Sequence, residues 1–325
     1  MLLAGDVGGT KTLLGLFEHA APRPIPIAIR TYSTPAFASF ADMLDTFGRD
    51  LDRAASIDAA AIGAAGPIID GRAHLTNIAW DITAQNVSER LRTTRVALMN
   101  DLEAMAASAD VLTPDEAIVL QPGPVRQEGN AVVIAAGTGL GQAYLHRVNG
   151  RLRPVASEGG HADYAPRSDR EIELLKMLRA DYGRAEVEHI LSGPGLVNVH
   201  RFTHASQLCP AVQSLPADAW PAAISTSAMS GECAACVGAL DIFVKVYGAE
   251  AGNLALRGVA TAGVYVGGGI APKILPALQD GRFLDAFSAK GTMSALVATM
   301  PIKVIINPAV GLLGAAVRAQ ELLNT

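Results

Sequence analysis

Three glycine-rich turns and one early aspartate are the residues of this chain whose types and spacing could do chemistry. Asp6-Val7-Gly8-Gly9-Thr10, Gly137-Thr138-Gly139-Leu140-Gly141 and Gly267-Gly268-Gly269 each follow a short apolar run. Glycine turns hold phosphates because missing side chains let several backbone N–H groups converge on one anion. Thr10 and Thr138 add hydroxyl donors beside those amides. Asp6 ends its apolar run and suits Mg2+ bound through water, since that ion keeps several waters and takes only one or two carboxylates. The structural alternative is a carboxylate capping its own turn. Any one of these turns is equally a tight hairpin, whereas three that each end a buried strand point to a phosphate site.

The familiar phosphate motifs are excluded by context. A P-loop needs GxxxxGK[ST], and the chain has no Gly-Lys dipeptide. A dinucleotide fingerprint needs a helix directly after the glycines, but Gly141 leads into a strand pattern and the Asn149-Gly150 hairpin turn. Protein-kinase signatures are absent. Asn100-Asp101 follows another short apolar run, Val96 to Met99, where loop side chains project into a cleft. Either residue could instead be the N-cap of a helix beginning at Leu102.

The elements that must position these groups follow a repeated plan. Leu2 to Val7 and Lys11 to Phe17 read as a β-hairpin around Gly8-Gly9-Thr10. A helical pattern over 39–55 follows, then a small-residue strand from Ala59 to Ala65 and a strand at Val96 to Met99. The second half repeats this: Ala131 to Ala135, a glycine turn, Gln142 to Val148, and Arg151 to Val155. Helices are expected at about 169–182 and 231–257. Residues 204–222 read as turn-rich. Val264 to Val266 is a strand, Pro272 starts a helix, and Ile302 to Ile306 and Gly311 to Leu323 are the last strand and helix. Two similar α/β lobes are expected, a smaller one of 1–110 plus 302–325 and a larger one of 111–301, with a cleft between them.

With these elements in place, the chain resembles the bacterial glucokinase family, within the sugar-kinase, Hsp70 and actin group. The stretches that carry the resemblance are GDVGGT (5–10), LTNIAW (75–80), NDLEAMA (100–106), AAGTGLGQA (135–143), SEGGHADYAP (157–166), EHILSGPGLVN (188–198), GVYVGGGIAPKIL (263–275) and NPAVGLLGAA (307–316). They occur in order from one end to the other. The resemblance implies a two-lobed actin-like ATPase (ribonuclease H-like) fold, a homodimer, and ATP and glucose meeting in the cleft. It also implies Asp101 as the general base in phosphoryl transfer to the sugar 6-hydroxyl. Asn100, Glu158, His161 and Glu188 are the implied sugar ligands, with Asn77 shaping the pocket. Carboxylates can accept from neighbouring sugar hydroxyls while His and Asn donate or accept. Gly267-Gly268-Gly269 would lay flat backbone against adenosine.

Two features depart from the pattern. Lys11 gives GGTKT, a spelling shared with the ROK group of sugar kinases and repressors. That group carries a cysteine-rich zinc loop beside its sugar-binding His, and the segment around His161 has no cysteine. Cys233 and Cys236, three apart inside a helical pattern, are expected to pack as small apolar side chains. A broader or ROK-like hexokinase and a non-catalytic sugar sensor are the rival functions.

Composition bounds the rest. The 325 residues allow two lobes, half of them are hydrophobic, and 31 acidic against 26 basic residues give a net charge of −5. Lys and Arg are scattered, which argues against nucleic acid as a partner. No apolar run is long enough to span a bilayer. Three cysteines, an odd count in a long chain, fit a reducing compartment. A cytoplasmic protein is expected.

Overall fold

A computed structural model describes residues 1–51, 56–75, 78, 80–124, 126, 128–204 and 209–323. Asn77 lies outside the described residues. In chain order the elements are β1 (Leu2–Val7), β2 (Lys11–Glu18), β3 (Ile25–Ser33), α1 (Phe40–Asp50), β4 (Ala59–Ala64), β5 (Ile68–Ile69), β6 (Arg72–His74), β7 (Asp81–Thr83), α2 (Ala84–Leu91), β8 (Val96–Asn100) and α3 (Asp101–Ala107). Next come β9 (Ala117–Gln121), β10 (Ala131–Ala136), β11 (Leu140–Val148), β12 (Arg151–Ser157), α4 (Asp169–Tyr182), α5 (Gly193–His204), α6 (Trp220–Ser230) and α7 (Ala234–Gly258). The chain closes with β13 (Gly263–Gly267), α8 (Leu275–Gln279), α9 (Arg282–Ser288), α10 (Ser294–Val297), β14 (Ile302–Ile305) and α11 (Val310–Glu321).

The chain divides into two compact units. The first takes Met1–Pro114, Arg151–Ala156 and Asn307–Thr325; the second takes Asp115–Gly150 and Ser157–Ile306. The first unit's main sheet has the order β3-β2-β1-β4-β8. β1 pairs antiparallel with β2 and parallel with β4, and β4 pairs parallel with β8. Alternation decides the two faces. Leu3, Val7 and Ile62 pack with Phe40, Met43 and Phe47 of α1. Leu2, Ala4, Ala59 and Ala61 pack with Leu312, Ala315 and Ala316 of α11. Small residues in β4 let helices lie close on both sides. The tightest approach is Gly314, where an added Cβ would sit 1.6 Å from the Ala104 carbonyl oxygen of α3.

In the second unit, strands run in the order β11-β10-β13-β14-β9. The pairings repeat: β10 is antiparallel to β11 and parallel to β13, and β13 is parallel to β14. Its core joins Val132, Ile134, Val264 and Val266 to Leu240, Phe243, Val244 and Tyr247 of α7.

Several expectations need correction. The strand at 302 pairs with β13 and with β9, so it belongs to the second unit's sheet, and the chain rejoins the first unit only at Asn307. The turn-rich reading of 204–222 missed the start of α6, whose Pro221 sits in its first turn. Pro272 opens a 3-10 turn, Ala271–Ile274, before α8. Strand β3 was not foreseen, because its exposed Ile25, Ile27 and Ile29 mark an edge rather than a buried run.

Candidate active site

In the first unit, the end of β1 and the start of α3 bring the predicted acids together. Asn100 is the N-cap of α3 and accepts from the Leu102 N–H at 2.7 Å, while Glu103 reaches back to accept from the Asn100 N–H at 2.9 Å. Asn100 also donates to the Gly66 carbonyl at 3.3 Å. With the cap filled by Asn100, Asp101 becomes the first helical residue, its Oδ1 accepting from the Leu102 N–H at 2.8 Å. The carboxyl group of Asp6 is pushed up to about 6, first by burial, then by the negative charge of Asp101, with Lys11 opposing. Gly311, at the start of α11, makes room for Asp6: a Cβ there would meet its Oδ2 at 2.8 Å. Gly311 lies within the NPAVGLLGAA stretch, and nothing but its small size signalled this contact.

The β1–β2 turn is held from below. The Gly8 N–H donates to the Lys11 carbonyl at 3.0 Å. Thr34 donates its hydroxyl to the Gly8 carbonyl at 2.8 Å and its N–H to the Thr10 carbonyl at 3.0 Å. The N–H groups of Gly9 and Thr10 have no internal partner among the described residues.

The second unit's turn is built alike. The Gly137 N–H donates to the Gly139 carbonyl at 2.8 Å, and the Gly193 N–H at the start of α5 donates to the Gly137 carbonyl at 2.8 Å. The N–H groups of Thr138 and Gly139 have no internal partner among the described residues. Gly137 and Thr138 line a cavity of about 700 Å³, shared with Gly269, Ile270, Lys273 and Pro221. Two of the three predicted glycine turns therefore meet in one mostly apolar hollow, of a size suited to a small ligand. Gly268 has φ +83°, and a Cβ there would meet the Ala136 carbonyl oxygen at 2.3 Å. Gly267 is held by its carbonyl, which accepts from the buried Tyr247 hydroxyl at 3.2 Å.

The predicted sugar ligands of this unit also converge. The Tyr164 N–H donates to the Ala185 carbonyl and the Val187 N–H to the Ala162 carbonyl, both at 3.0 Å, zipping the SEGGHADY loop to residues 185–187. His161 Nδ1 lies 2.8 Å from Glu186 Oε2. That bond raises the His161 pKa above its ordinary value, against burial and with help from the charges of Glu188, Glu186 and Glu158. Glu188 accepts from the Leu140 N–H at 2.7 Å and lies against Gly139, so it joins the sugar-ligand cluster to the glycine turn. Glu186 was missed by sequence reasoning; its only signal is its place two residues before Glu188. Gly159 and Gly160 leave no room for a side chain above β11. Added Cβ atoms would meet Gln142 Oε1 at 2.3 Å and the Leu140 carbonyl oxygen at 2.1 Å, so the loop lies flat on β11.

The glucokinase family model matches residues 3–322. The chain is 38% identical to a glucokinase of Synechocystis sp. over 346 aligned positions, covering 98% of each chain. A crystal structure of glucokinase from an Antarctic psychrotroph superposes with a TM-score of 0.88 at 28% identity, covering 98% of each chain. A ROK family glucokinase from Streptomyces griseus, solved with glucose and AMPPNP, shares the fold at a TM-score of 0.64 and 21% identity, covering 98% of this chain and 99% of that one. The fold is thus the two-domain actin-like ATPase fold of the sugar kinases, and the chain belongs to the glucokinase family.

Proposed function

We propose that the chain transfers the γ-phosphoryl group of ATP to the 6-hydroxyl of glucose, with Asp101 accepting the hydroxyl proton. The observation that carries this reading is the placement of Asp101 at the first residue of α3, electrostatically coupled to Asp6 beside the Gly8–Thr10 turn. A sugar hydroxyl is too weak an acid to be deprotonated in advance by a carboxylate. Asp101 orients the 6-OH and takes its proton as the O–P bond forms and the bond to the bridging β,γ-oxygen breaks, releasing ADP. The unpartnered N–H groups of Gly9, Thr10, Thr138 and Gly139, with the two threonine hydroxyls, bind phosphate oxygens. The cavity beside Gly269 takes the adenosine. Asn100, Glu158, His161 and Glu188 bind the sugar hydroxyls.

The donor set fits Mg2+: Asp6 and Asp101 repel each other, and a divalent cation relieves that repulsion while Gly311 keeps space beside the carboxylate. Asp6 would hold the ion through water, and the ion would neutralise phosphate charge. A cytoplasmic homodimer, with neither nucleic acid nor membrane as partner, completes the proposal. Among the described residues no single helix is long and apolar enough to cross a membrane. Light scattering on purified protein reads the assembly.

The test is a coupled assay for ADP with glucose, run beside mannose, fructose and N-acetylated amino sugars. Asp101→Asn should lower kcat by about 10²- to 10⁴-fold with little change in glucose KM. Unchanged turnover would remove Asp101 from the mechanism, and a better sugar than glucose would move the substrate assignment.

A further inference from the structure

The far end of α5 carries His200 and His204, four residues apart and so on one helix face. Cys209 follows them in the chain. Cys233 is the residue before α7, and Cys236 lies in that helix's first turn. None of these five has a part in the site described above. The fold gathers them. Cys209 Sγ lies 3.5 Å from Cys236 Sγ and 3.9 Å from Cys233 Sγ, and His204 Nε2 lies 3.3 Å from Cys233 Sγ. One donor atom from each of His200, His204, Cys209 and Cys236 lies within 4.8 Å of the others.

These separations are too long for a disulfide, whose sulfurs lie about 2.05 Å apart. The Cys209–Cys236 separation and the 4.8 Å limit on the four donor atoms suit the edges of a coordination tetrahedron. With Zn–S near 2.3 Å and Zn–N near 2.0–2.1 Å, a tetrahedron has S···S edges of about 3.8 Å and S···N edges of about 3.5 Å. A second observation points the same way. His200 is only 4% exposed, and neither of its ring nitrogens has a hydrogen-bond partner among the described residues. An imidazole buried in that state costs free energy unless something binds it. His204 is oriented for the same task. Its Nδ1 lies 3.0 Å from the His200 carbonyl oxygen, which can only accept, so Nδ1 carries the proton and Nε2 keeps its lone pair. Cys209 and Cys236 are 1% and 0% exposed, which fits a closed site better than one open to a substrate.

We propose that His200, His204, Cys209 and Cys236 form a structural site for Zn2+, with Cys233 as a neighbouring thiol outside the four ligands. Binding displaces the two thiol protons to solvent and leaves thiolate ligands. The site ties the end of α5 to the start of α7. Because α5 begins at Gly193, whose N–H holds the Gly137 carbonyl, the ion anchors the opposite end of the helix that supports the second glycine turn. Cys236 packs in the core with Cys233 against it, as expected, and His200 and Cys209, distant from them in the chain, are the partners that only the fold brings near.

The experiment uses tag-free protein purified under reductant, with zinc measured by mass spectrometry and by competition against a chromophoric chelator. One zinc per chain is expected. Co2+ added to the stripped protein should give the d–d spectrum of tetrahedral coordination with thiolate charge-transfer bands. Cys209→Ser, Cys236→Ser and His200→Ala should each weaken zinc binding by more than about 100-fold, beyond the 10- to 100-fold loss typical of a residue that only orients a ligand. Cys233→Ser should leave affinity within about 10-fold. The proposal fails if reduced wild-type protein takes up less than a tenth of an equivalent of zinc, or if the double variant Cys209→Ser, Cys236→Ser binds as well as wild type. A Cys209–Cys236 disulfide in protein that takes up no metal after reduction also overturns it. Loss on Cys233→Ser but not on His200→Ala overturns the ligand set. Should the variants not fold, X-ray absorption on the zinc-loaded wild type still decides, two sulfur and two nitrogen neighbours being the expected shell.

Discussion

The two units share one strand plan and differ in the groups at its strand ends. In each, a central strand pairs antiparallel with its successor across a glycine turn and parallel with a strand on the other side. The registers correspond: Asp6 sits opposite Leu13 as Ala135 sits opposite Gly141, each one residue before the end of its strand. The first unit thus places a half-buried carboxylate where the second has a methyl group. It adds a second carboxylate from the start of α3, and burial first, then the charge of that Asp101, pushes Asp6 up to about 6. The second unit instead leaves its turn beside an apolar cavity and steadies it with Glu188. One glycine turn is tuned for charge and the other for shape. The shared plan supplies backbone amides twice, and the side chains at the strand ends differ.

The sharpest break of that comparison is kinetic. If the carboxylates of the first unit do the chemistry, Asp101→Asn is the largest single loss of turnover. Next comes the backbone of the second unit. Gly268→Ala places a Cβ at φ +83° and 2.3 Å from a carbonyl oxygen, so unfolding free energy should drop by about 3 kcal/mol in a denaturant titration. Asp6→Asn tests the charge side. Because the folded pKa of Asp6 exceeds its ordinary 3.8, the protonated form favours folding. That contribution is complete below about pH 4 and is lost as pH rises through about 6. Wild-type Tm should therefore fall across this window relative to Asp6→Asn, which should be the more stable by about 1–3 kcal/mol at pH 7 while losing activity. A variant with no stability gain at neutral pH would mean that the acid is not strained. The smallest effect separates shape from charge. A Cβ at Gly269 meets nothing within 4 Å, so Gly269→Val should leave Tm unchanged yet raise the ATP KM by about 10-fold, or about 1.4 kcal/mol, by narrowing the cavity.

Much of the frame was legible because local chemistry dictated it. The β1–β2 hairpin announces itself by an apolar run, three turn residues and a second run, and the 169–182 helix has Ser168 as its cap. The choice between Asn100 and Asp101 as cap was not legible, since both residue types cap helices well. It was decided by Glu103 closing a capping box on Asn100, which freed Asp101 for the first helical position. Likewise the close packing of Gly159 and Gly160 on strand β11 could not be read from the residues themselves.

The order of short motifs along the chain was enough by itself to establish the family, the two-unit α/β plan and the types of group available for phosphoryl transfer. Those follow from residue identity and spacing, which act over a few residues. Contact across long separations was decided only by tertiary structure. It raised the Asp6 pKa through burial and then Asp101, brought Glu188 to the Leu140 amide, fitted Gly311 against a carboxylate, and gathered His200, His204, Cys209 and Cys236 into one cluster. Such contacts depend on where strands and helices pack, and burial sets their strength by removing the water that would otherwise screen them.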